Sequence, residues 1–297
     1  ITKGSYVGLE STISRLSVLV FNSETGSLVY RKEYSEYTSN TSVTLNKSMI
    51  NVESATVVMI ANVPLSDVKK PKEGAENQYT SLATDDVTLS TLEDYTFQHA
   101  DANTVISSPL PTNFTGFPMI GAAKDVNLTA SSTDQVVVNL KVLYAKIIFN
   151  ISVADGTENT GATTPSFTLN NYQVFNASKA TPFAHPQTNG EPERDLFGNI
   201  VMDGENEVIA TQTTATVSTD YAYQVSSESQ YVKVIETSAT LGGSNAINFT
   251  FYVAEGRYNH NSDLSGIYPS DTWLVGASAS SDDDVKGYSS LSDADKK

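Results

Sequence analysis

The sequence predicts an all-β protein, and three observations lead to that fold class. Hydrophobic residues make up 39% of the 297 residues and charged residues only 18%, so much of the polarity comes from Ser, Thr and Asn, whereas helical surfaces are usually rich in Lys and Glu. Runs of β-branched and aromatic residues are short and end in clusters of turn-forming residues. No segment repeats at the fixed period of a solenoid or propeller. Short strands with frequent turns are typical of β-sandwiches.

The first predicted strand covers residues 13–22, in which Leu16, Val18 and Val20 lie on one side of a period-two pattern. The opposite side is also partly apolar, which indicates a strand inside a sandwich. A turn cluster at residues 23–26 precedes the alternating segment SLVYRKEY and predicts a β-hairpin.

The next strands are a short one at residues 42–45 and a dense β-branched run, ATVVMIAN, at residues 55–62. Pro64 ends the second run because proline cannot donate to a ladder. We expect this run to be a central strand. Residues 65–101 are polar and charged, which predicts a long excursion with one or two short helices.

Strand signals return in the middle of the chain, and the run at residues 142–153 is the strongest of them. We place the exit from the first sandwich near Leu140, which predicts an N-terminal domain at residues 1–139 and a C-terminal domain at residues 140–297. The remaining predicted strands cover residues 119–122, 126–128, 136–140, 167–175, 231–240 and 248–253.

Charge and cysteine content exclude several classes of function. The chain has 34 acidic and 18 basic residues, a net charge of −16, so nucleic acid and anionic membrane surfaces would repel it. It has no cysteine, which excludes disulfides, thiolate nucleophiles and cysteine-bound zinc. The longest apolar runs, at residues 55–63 and 142–151, are too short for a membrane-spanning helix. Ile1 indicates a processed or trimmed chain.

We find no motif for catalysis, a cofactor or a metal. The three histidines, His99, His185 and His260, have no metal-ligand spacing and are predicted to be exposed spectators. Gly-x-Ser-x-Gly is missing. The acidic runs at residues 203–205 and 282–284 do not match an EF-hand loop and indicate solvated surface rather than calcium ligands.

Aromatic residues at the end of the chain have two possible roles. Tyr252, Tyr258, Tyr268 and Trp273 could form a platform on which a sugar stacks. Aromatic residues at this density more often complete a β core, and this second role is favoured.

Four segments in order give the chain a resemblance to a known family. They are ESTI at residues 10–13 running into LSVLVFN, VVMIANVP at 57–64, FPMIGAA at 117–123, and VLYAKIIFNISV at 142–153. This order resembles the Bacteroidales fimbrillins, the pilus subunits of type V fimbriae. TFYVAE at residues 250–255 is similar to a segment of their second domain.

The resemblance implies two tandem β-sandwich domains, transthyretin-like with Greek-key connections and short helices in loops. It also implies a non-enzymatic structural pilin of a cell-surface fimbria, without a cofactor. In fimbrillins the closing strands follow an Arg-Asn-x-x-Tyr segment that this chain lacks, so the second domain is expected to be incomplete at its C-terminus.

The resemblance further implies how the subunit is exported and joined to others. A lipoprotein precursor crosses the periplasm to the outer membrane, and a trypsin-like protease removes its N-terminal segment. The vacated groove then receives a donor strand from a neighbouring subunit, either a second copy or a sister pilin. The alternatives are a tip or anchor adhesin that binds a host protein or glycan, and a surface glycan-binding lipoprotein.

The inward residues of the strongest strands are the predicted lining of this groove. The candidates are Leu16, Val18, Val20, Val57 and Met59. A permanent contact in the domain core is at least as good an interpretation for each of these residues.

Overall fold

The computed structural model shows an all-β fold in which the named strands pair antiparallel. The helices it describes are short 3-10 helices at Gly8–Ser11, Leu65–Asp67 and Thr91–Asp94. The all-β class and the short helices of the polar excursion are therefore confirmed, whereas the tandem transthyretin-like arrangement stays a prediction. The structure describes residues 2–3, 8–37, 43–45, 50–71, 78–99, 105–129, 135–151, 166–175, 180–183, 185, 187, 189–195, 198–211, 232–242 and 247–254.

The described strands are mostly short, as the turn-rich sequence predicts. In chain order they are β1 (Thr2–Lys3), β2 (Leu16–Asn22), β3 (Leu28–Tyr34), β4 (Ala55–Ala61), β5 (Val68–Pro71), β6 (Tyr79–Ser81), β7 (Thr96–Gln98), β8 (Val105–Ser107), β9 (Met119–Val126), β10 (Lys141–Val142), β11 (Tyr144–Ile151), β12 (Ser166–Phe175), β13 (Ala180–Pro182), β14 (Met202–Asp203), β15 (Asn206–Glu207), β16 (Val232–Gly242) and β17 (Ile247–Ala254).

A five-stranded sheet with the order β10-β9-β4-β2-β3 forms the centre of the first half. Its β4 lies between β2 and β9, so the predicted central strand is confirmed. The hairpin β2–β3 is confirmed as well. Asn22 Oδ1 accepts the backbone N–H groups of Glu24 and Thr25 at 2.9 and 3.2 Å, and Gly26 takes a positive φ of 70° that favours glycine.

One face of this sheet packs on a four-stranded sheet with the order β13-β7-β5-β6. Leu19 on β2 and Ile60 on β4 meet the aromatic side chains of Phe97 and Phe183, whose ring centroids are 4.6 Å apart. All four side chains are buried. This is the sandwich core that the two-sided apolar pattern of β2 predicts.

A second four-stranded sheet, with the order β1-β11-β17-β8, carries the later part of the chain. β11 and β17 pair over their whole length, from Tyr144 opposite Ala254 to Ile151 opposite Ile247. The two halves of the chain exchange strands, because β8 joins β17 in this sheet while β13 joins β7 in the first sandwich. The division at residues 139 and 140 stays a prediction.

The remaining described strands form two separate pairs. β12 pairs with β16, as the strand signals near these residues predict. β14 pairs with β15 in a short hairpin around Gly204, whose φ is +62°. The acidic run at residues 203–205 is therefore at a hairpin turn, and the run at residues 282–284 lies outside the described residues.

Several predicted strands differ from the structure. The predicted strands at residues 119–122 and 126–128 are one strand, β9, which ends at Val126. Residues 142–153 are divided, because Val142 ends β10 in the first half and Tyr144 begins β11 in the second sheet. The described residues 43–45 and all of 136–140 alternate between half-buried and exposed, as residues of a strand do, but they belong to no ladder. The apolar alternation correctly predicts that these residues pack on a sheet face. It does not predict a hydrogen-bonded partner strand.

A hydrogen-bonded junction around Asn62 connects the end of β4 to two loops. Asn62 has a φ of +63°, and its side-chain Nδ2 donates to the carbonyl groups of Thr12 and Phe117 at 2.8 and 2.9 Å. Its Oδ1 accepts the backbone N–H of Ser14 at 2.9 Å. Gly116 has to be glycine here, because a Cβ would lie 2.1 Å from the carbonyl oxygen of Thr12.

A buried ion pair attaches the start of the chain to the second sheet. Lys146 Nζ on β11 lies 2.8 Å from Glu10 Oε1, and the Tyr252 hydroxyl on β17 donates to the same carboxylate. Glu10 is 8% exposed, and such a buried charge is tolerated only when it is paired and hydrogen-bonded. None of the helices in the described part of the chain has the length and apolar character needed to cross a membrane.

Candidate functional site

The structure brings the five predicted groove residues together on one face of the five-stranded sheet. On β2 and β4, Val18 lies opposite Met59 and Val20 lies opposite Val57, with Leu16 one step along the same face. Met59 is half-buried and the other four are buried. We call the surface formed by these five residues the β2–β4 face.

Neighbouring strands extend the β2–β4 face in both directions. On β3, Tyr30 and Tyr34 pack against it, and Lys32 lies between them with its Nζ 4.7 Å from the centroid of the Tyr34 ring. Burial raises the pKa of the Tyr30 hydroxyl. The Tyr30 hydroxyl is therefore neutral at physiological pH. On β9, Met119 continues the face on the other side.

Two extended pieces of chain, residues 43–45 and 135–140, cover this face. We call them the covering segments. In the second one, Val136, Val138 and Leu140 pack inward on the β2–β4 face, while the residues between them are exposed. Val137, between them, is 75% exposed.

The covering segments have the side-chain alternation of strands without the hydrogen bonds of strands. In the part of the chain that the structure describes, no backbone N–H or C=O group of residues 43–45 or 135–140 takes part in a hydrogen bond. Backbone groups near a core are nearly always paired. The layer over the β2–β4 face thus consists of extended chain whose pairing positions are open to a further strand.

Gly121 on β9 fixes how closely the second covering segment approaches the sheet. A Cβ at this position would lie 2.2 Å from the carbonyl oxygen of Asn139 and 2.9 Å from its carbonyl carbon. The segment crosses directly over Gly121 on the side of the β2–β4 face. It then joins the ladder at Lys141, which pairs with Ile120.

The histidines differ from the prediction for the described part of the chain. His99 is half-buried rather than exposed: its Nε2 lies 2.8 Å from Thr181 Oγ1 and its Nδ1 3.3 Å from the Tyr144 hydroxyl. Burial lowers its pKa to about 4, so it is neutral at physiological pH. His185 is half-buried as well. His260 lies outside the described residues.

Two further expectations concern metal ligands and aromatic residues. Among the residues that the structure describes, no group of three or more acidic, His or Cys side chains is arranged to hold a metal ion. Tyr252 is buried in the second sheet, against the ring of Phe117 at a centroid distance of 4.7 Å. Trp273 and the other late aromatic residues lie outside the described part.

Sequence reasoning placed five residues on one face of the sheet and did not predict the segments that cover them. Leu16, Val18, Val20, Val57 and Met59 were identified from alternation in two strong strands. The alternation of Val136, Val138 and Leu140 predicts an ordinary strand at residues 136–140. The sequence contains one signal of the difference, which is Gly121 in a strand where β-branched residues are otherwise preferred.

Comparison with known proteins identifies one matching family. Residues 8–166, more than half of the chain, match the family described as Major fimbrial subunit protein (FimA). No curated protein is similar enough to match. The matched segment contains the whole β2–β4 face and both covering segments.

Solved structures give a distant likeness. The chain is 16% identical to the tip fimbrial protein Mfa3 of Porphyromonas gingivalis with C-terminal truncation, over 86% of this chain and 67% of that one, with a TM-score of 0.41. It is 14% identical to a fimbrial assembly protein of Parabacteroides distasonis, over 85% and 82% of the two chains, with a TM-score of 0.36.

Proposed function

Because the chain belongs to the Major fimbrial subunit protein (FimA) family, we propose that it is a structural pilin of a cell-surface fimbria that joins its neighbour by donor-strand addition on the β2–β4 face. The family consists of fimbrial structural subunits and is generally non-enzymatic. Its members interact with other fimbrial subunits.

The open pairing positions of residues 135–140 are the observation that carries this proposal. An incoming strand can donate to and accept from this backbone while its alternate side chains pack beside Val136, Val138 and Leu140. Such addition gives affinity through main-chain hydrogen bonds and specificity through alternating side chains. Completion of the cover and attachment of the next subunit then become one event.

The expected strength of the joint follows from the number of apolar side chains that a donor strand would bury. Four or five side chains of Val, Ile or Leu size contribute roughly 1.5–3 kcal/mol each when buried, or about 6–15 kcal/mol before ordering costs. The added ladder hydrogen bonds contribute about 0.5–1.5 kcal/mol each. A joint of this kind is long-lived without a covalent bond.

The timing of assembly is the second part of the proposal. An N-terminal segment of a lipoprotein precursor occupies the face during export through the periplasm, and a trypsin-like protease removes it at the outer membrane. The precursor segment prevents early polymerisation because the pairing positions are already taken. This step rests on the fimbrillin resemblance.

The first experiment uses the full-length precursor. It is treated with an arginine-specific protease and followed for several days by unboiled denaturing gels and negative-stain microscopy. We expect a ladder of bands together with filaments. Cleavage to a stable monomer that never polymerises would replace the stalk role with that of a tip or anchor subunit, which is the alternative function.

A second experiment tests the location of the joint. Amide hydrogen exchange of residues 136–140 should be fast in the monomer, because these amides lack partners, and at least about a hundredfold slower in the fimbria. The amides of β4 serve as the control because they are paired in both states. Equal exchange of residues 136–140 in monomer and fimbria would exclude this segment as the acceptor of the donor strand.

A further inference from the structure

A cavity of about 470 Å³ lies away from the β2–β4 face, where the end of β4 meets the start of β11. Its size is in the range of roughly 300–1,000 Å³ that small-molecule sites occupy. Part of its rim is exposed and reachable, with Asp67 on one side and the loop residues Asn113 and Thr115 on the other. The half-buried Phe114 and the buried Tyr144 contribute aromatic walls.

The loop that forms one wall is held in place before any ligand arrives. Ser14 Oγ donates to the carbonyl oxygen of Thr115 at 2.7 Å, and Asn62 Nδ2 donates to that of Phe117 at 2.9 Å. The Phe114 ring lies against Phe117 with a centroid distance of 4.7 Å, close to edge-on. Because these contacts already hold the wall in place, little conformational entropy is lost there when a ligand binds.

The charge of the lining restricts the chemistry of a ligand. Asp67 is the one acidic side chain in the lining, which contains no Lys or Arg. His99 in the interior is neutral because burial lowers its pKa to about 4. An anion would be repelled by the Asp67 carboxylate. A cation deep in the cavity would face only the neutral Tyr144 and His99 groups, at a high cost in desolvation.

We propose that this cavity binds an uncharged sugar ring. The Phe114 side of the cavity offers an aromatic surface for the apolar C–H face of a sugar ring, and Asn113, Thr115 and Asp67 offer an amide, a hydroxyl and a carboxylate for its hydroxyl groups. At the inner end, Tyr144 and His99 are hydrogen-bonded to each other and His99 also to Thr181, so they close the cavity and the sugar contacts fall to the other side chains. The site shares none of these residues with the β2–β4 face and does not depend on strand addition.

Binding is tested on the mature protein with immobilised neutral sugars, namely mannose, galactose, glucose and N-acetylglucosamine, beside sialylated, uronic-acid and amine-bearing probes. We expect retention on at least one neutral sugar and none on the charged probes. Retention only on an anionic or a cationic probe, or on none of the probes, would overturn the proposal.

Variants then locate the binding. Asp67→Asn and Phe114→Ala should each weaken binding of the neutral sugar by about tenfold or more. Asp86→Asn and Tyr79→Ala are matched controls, because both side chains are exposed elsewhere, and they should bind as the parent does. Asp67 is exposed, so its variant remains informative if Phe114→Ala does not fold. Unchanged binding by Asp67→Asn would place the sugar outside this cavity and refute the assignment.

Discussion

Replacing Gly121 by alanine should displace the second covering segment and slow assembly. The new Cβ would lie 2.2 Å from the Asn139 carbonyl oxygen, whereas ordinary contact begins near 3.4 Å. All three atoms near the Cβ belong to the backbone of Asn139 and Leu140, so no side-chain rotation relieves the overlap, and the segment has to move by about 1 Å. Overpacking of this kind costs about 1–3 kcal/mol.

The assay measures stability and assembly separately. Urea unfolding of the Gly121→Ala monomer should show a lower midpoint with an unchanged slope, which is the sign of a change in stability alone. The rate at which the gel ladder forms should fall as well, because Val136, Val138 and Leu140 no longer hold the position that an incoming strand needs.

Gly116→Ala is the matched control. Its Cβ would lie 2.1 Å from the Thr12 carbonyl oxygen, so it destabilises the fold at the Asn62 junction, away from the β2–β4 face. Its folded fraction should assemble at the parent rate. If Gly121→Ala unfolds and assembles as the parent does, the covering segment does not lie on Gly121 and the proposed acceptor site is wrong.

Three further predictions concern burial and charge. Val18→Asp puts an unpaired charge on the β2–β4 face, and a variant that folds should stay monomeric; folded Val18→Asp that still polymerises would exclude Val18 from the joint. Glu10→Gln leaves a buried ammonium without its carboxylate and should cost about 3–5 kcal/mol in unfolding, against about 0–1 kcal/mol for Lys124→Gln, which removes the 51% exposed lysine of the Lys124–Asp195 pair; equal losses would contradict this. His99 has its pKa lowered from 6.5 to about 4, so the unfolded chain binds a proton in this range and the folded chain does not. Stability should therefore fall as pH drops from about 6.5 to about 4, by at most about 3 kcal/mol, and a His99→Phe variant with the same pH dependence as the parent would refute it.

The sequence predicts most of the first half of the fold because local patterns determine it there. Residues 16–22 and 55–61 are apolar on both sides, so a buried strand is the only arrangement that covers both faces. The turn at Asn22 and Gly26 fixes the hairpin through local hydrogen bonds. The floor of the candidate site follows directly from these strands.

The exchange of strands between the halves could not be predicted in the same way. Residues 105–107 and 180–182 have only three residues each in their strands, too few for a period-two pattern. Their pairing depends on neighbours that are far away in the chain, Val253 and Phe97 for example. For the same reason the sequence predicts an ordinary strand at residues 136–140, where the structure has part of a covering segment, since alternation indicates packing on a face and not the presence of a ladder partner.

The exchanged strands also determine how the subunit responds to tension along a fibre. A pull that enters at the β2–β4 face reaches the second sheet by several routes, through the chain between β10 and β11 and through the ladders that β8 and β13 form with the opposite half. The load is thereby divided between the covalent chain and the two ladders. Resistance to force depends on the rate of unfolding rather than on equilibrium stability. We therefore expect the crossed strands to slow unfolding under force, relative to two halves joined by the chain alone.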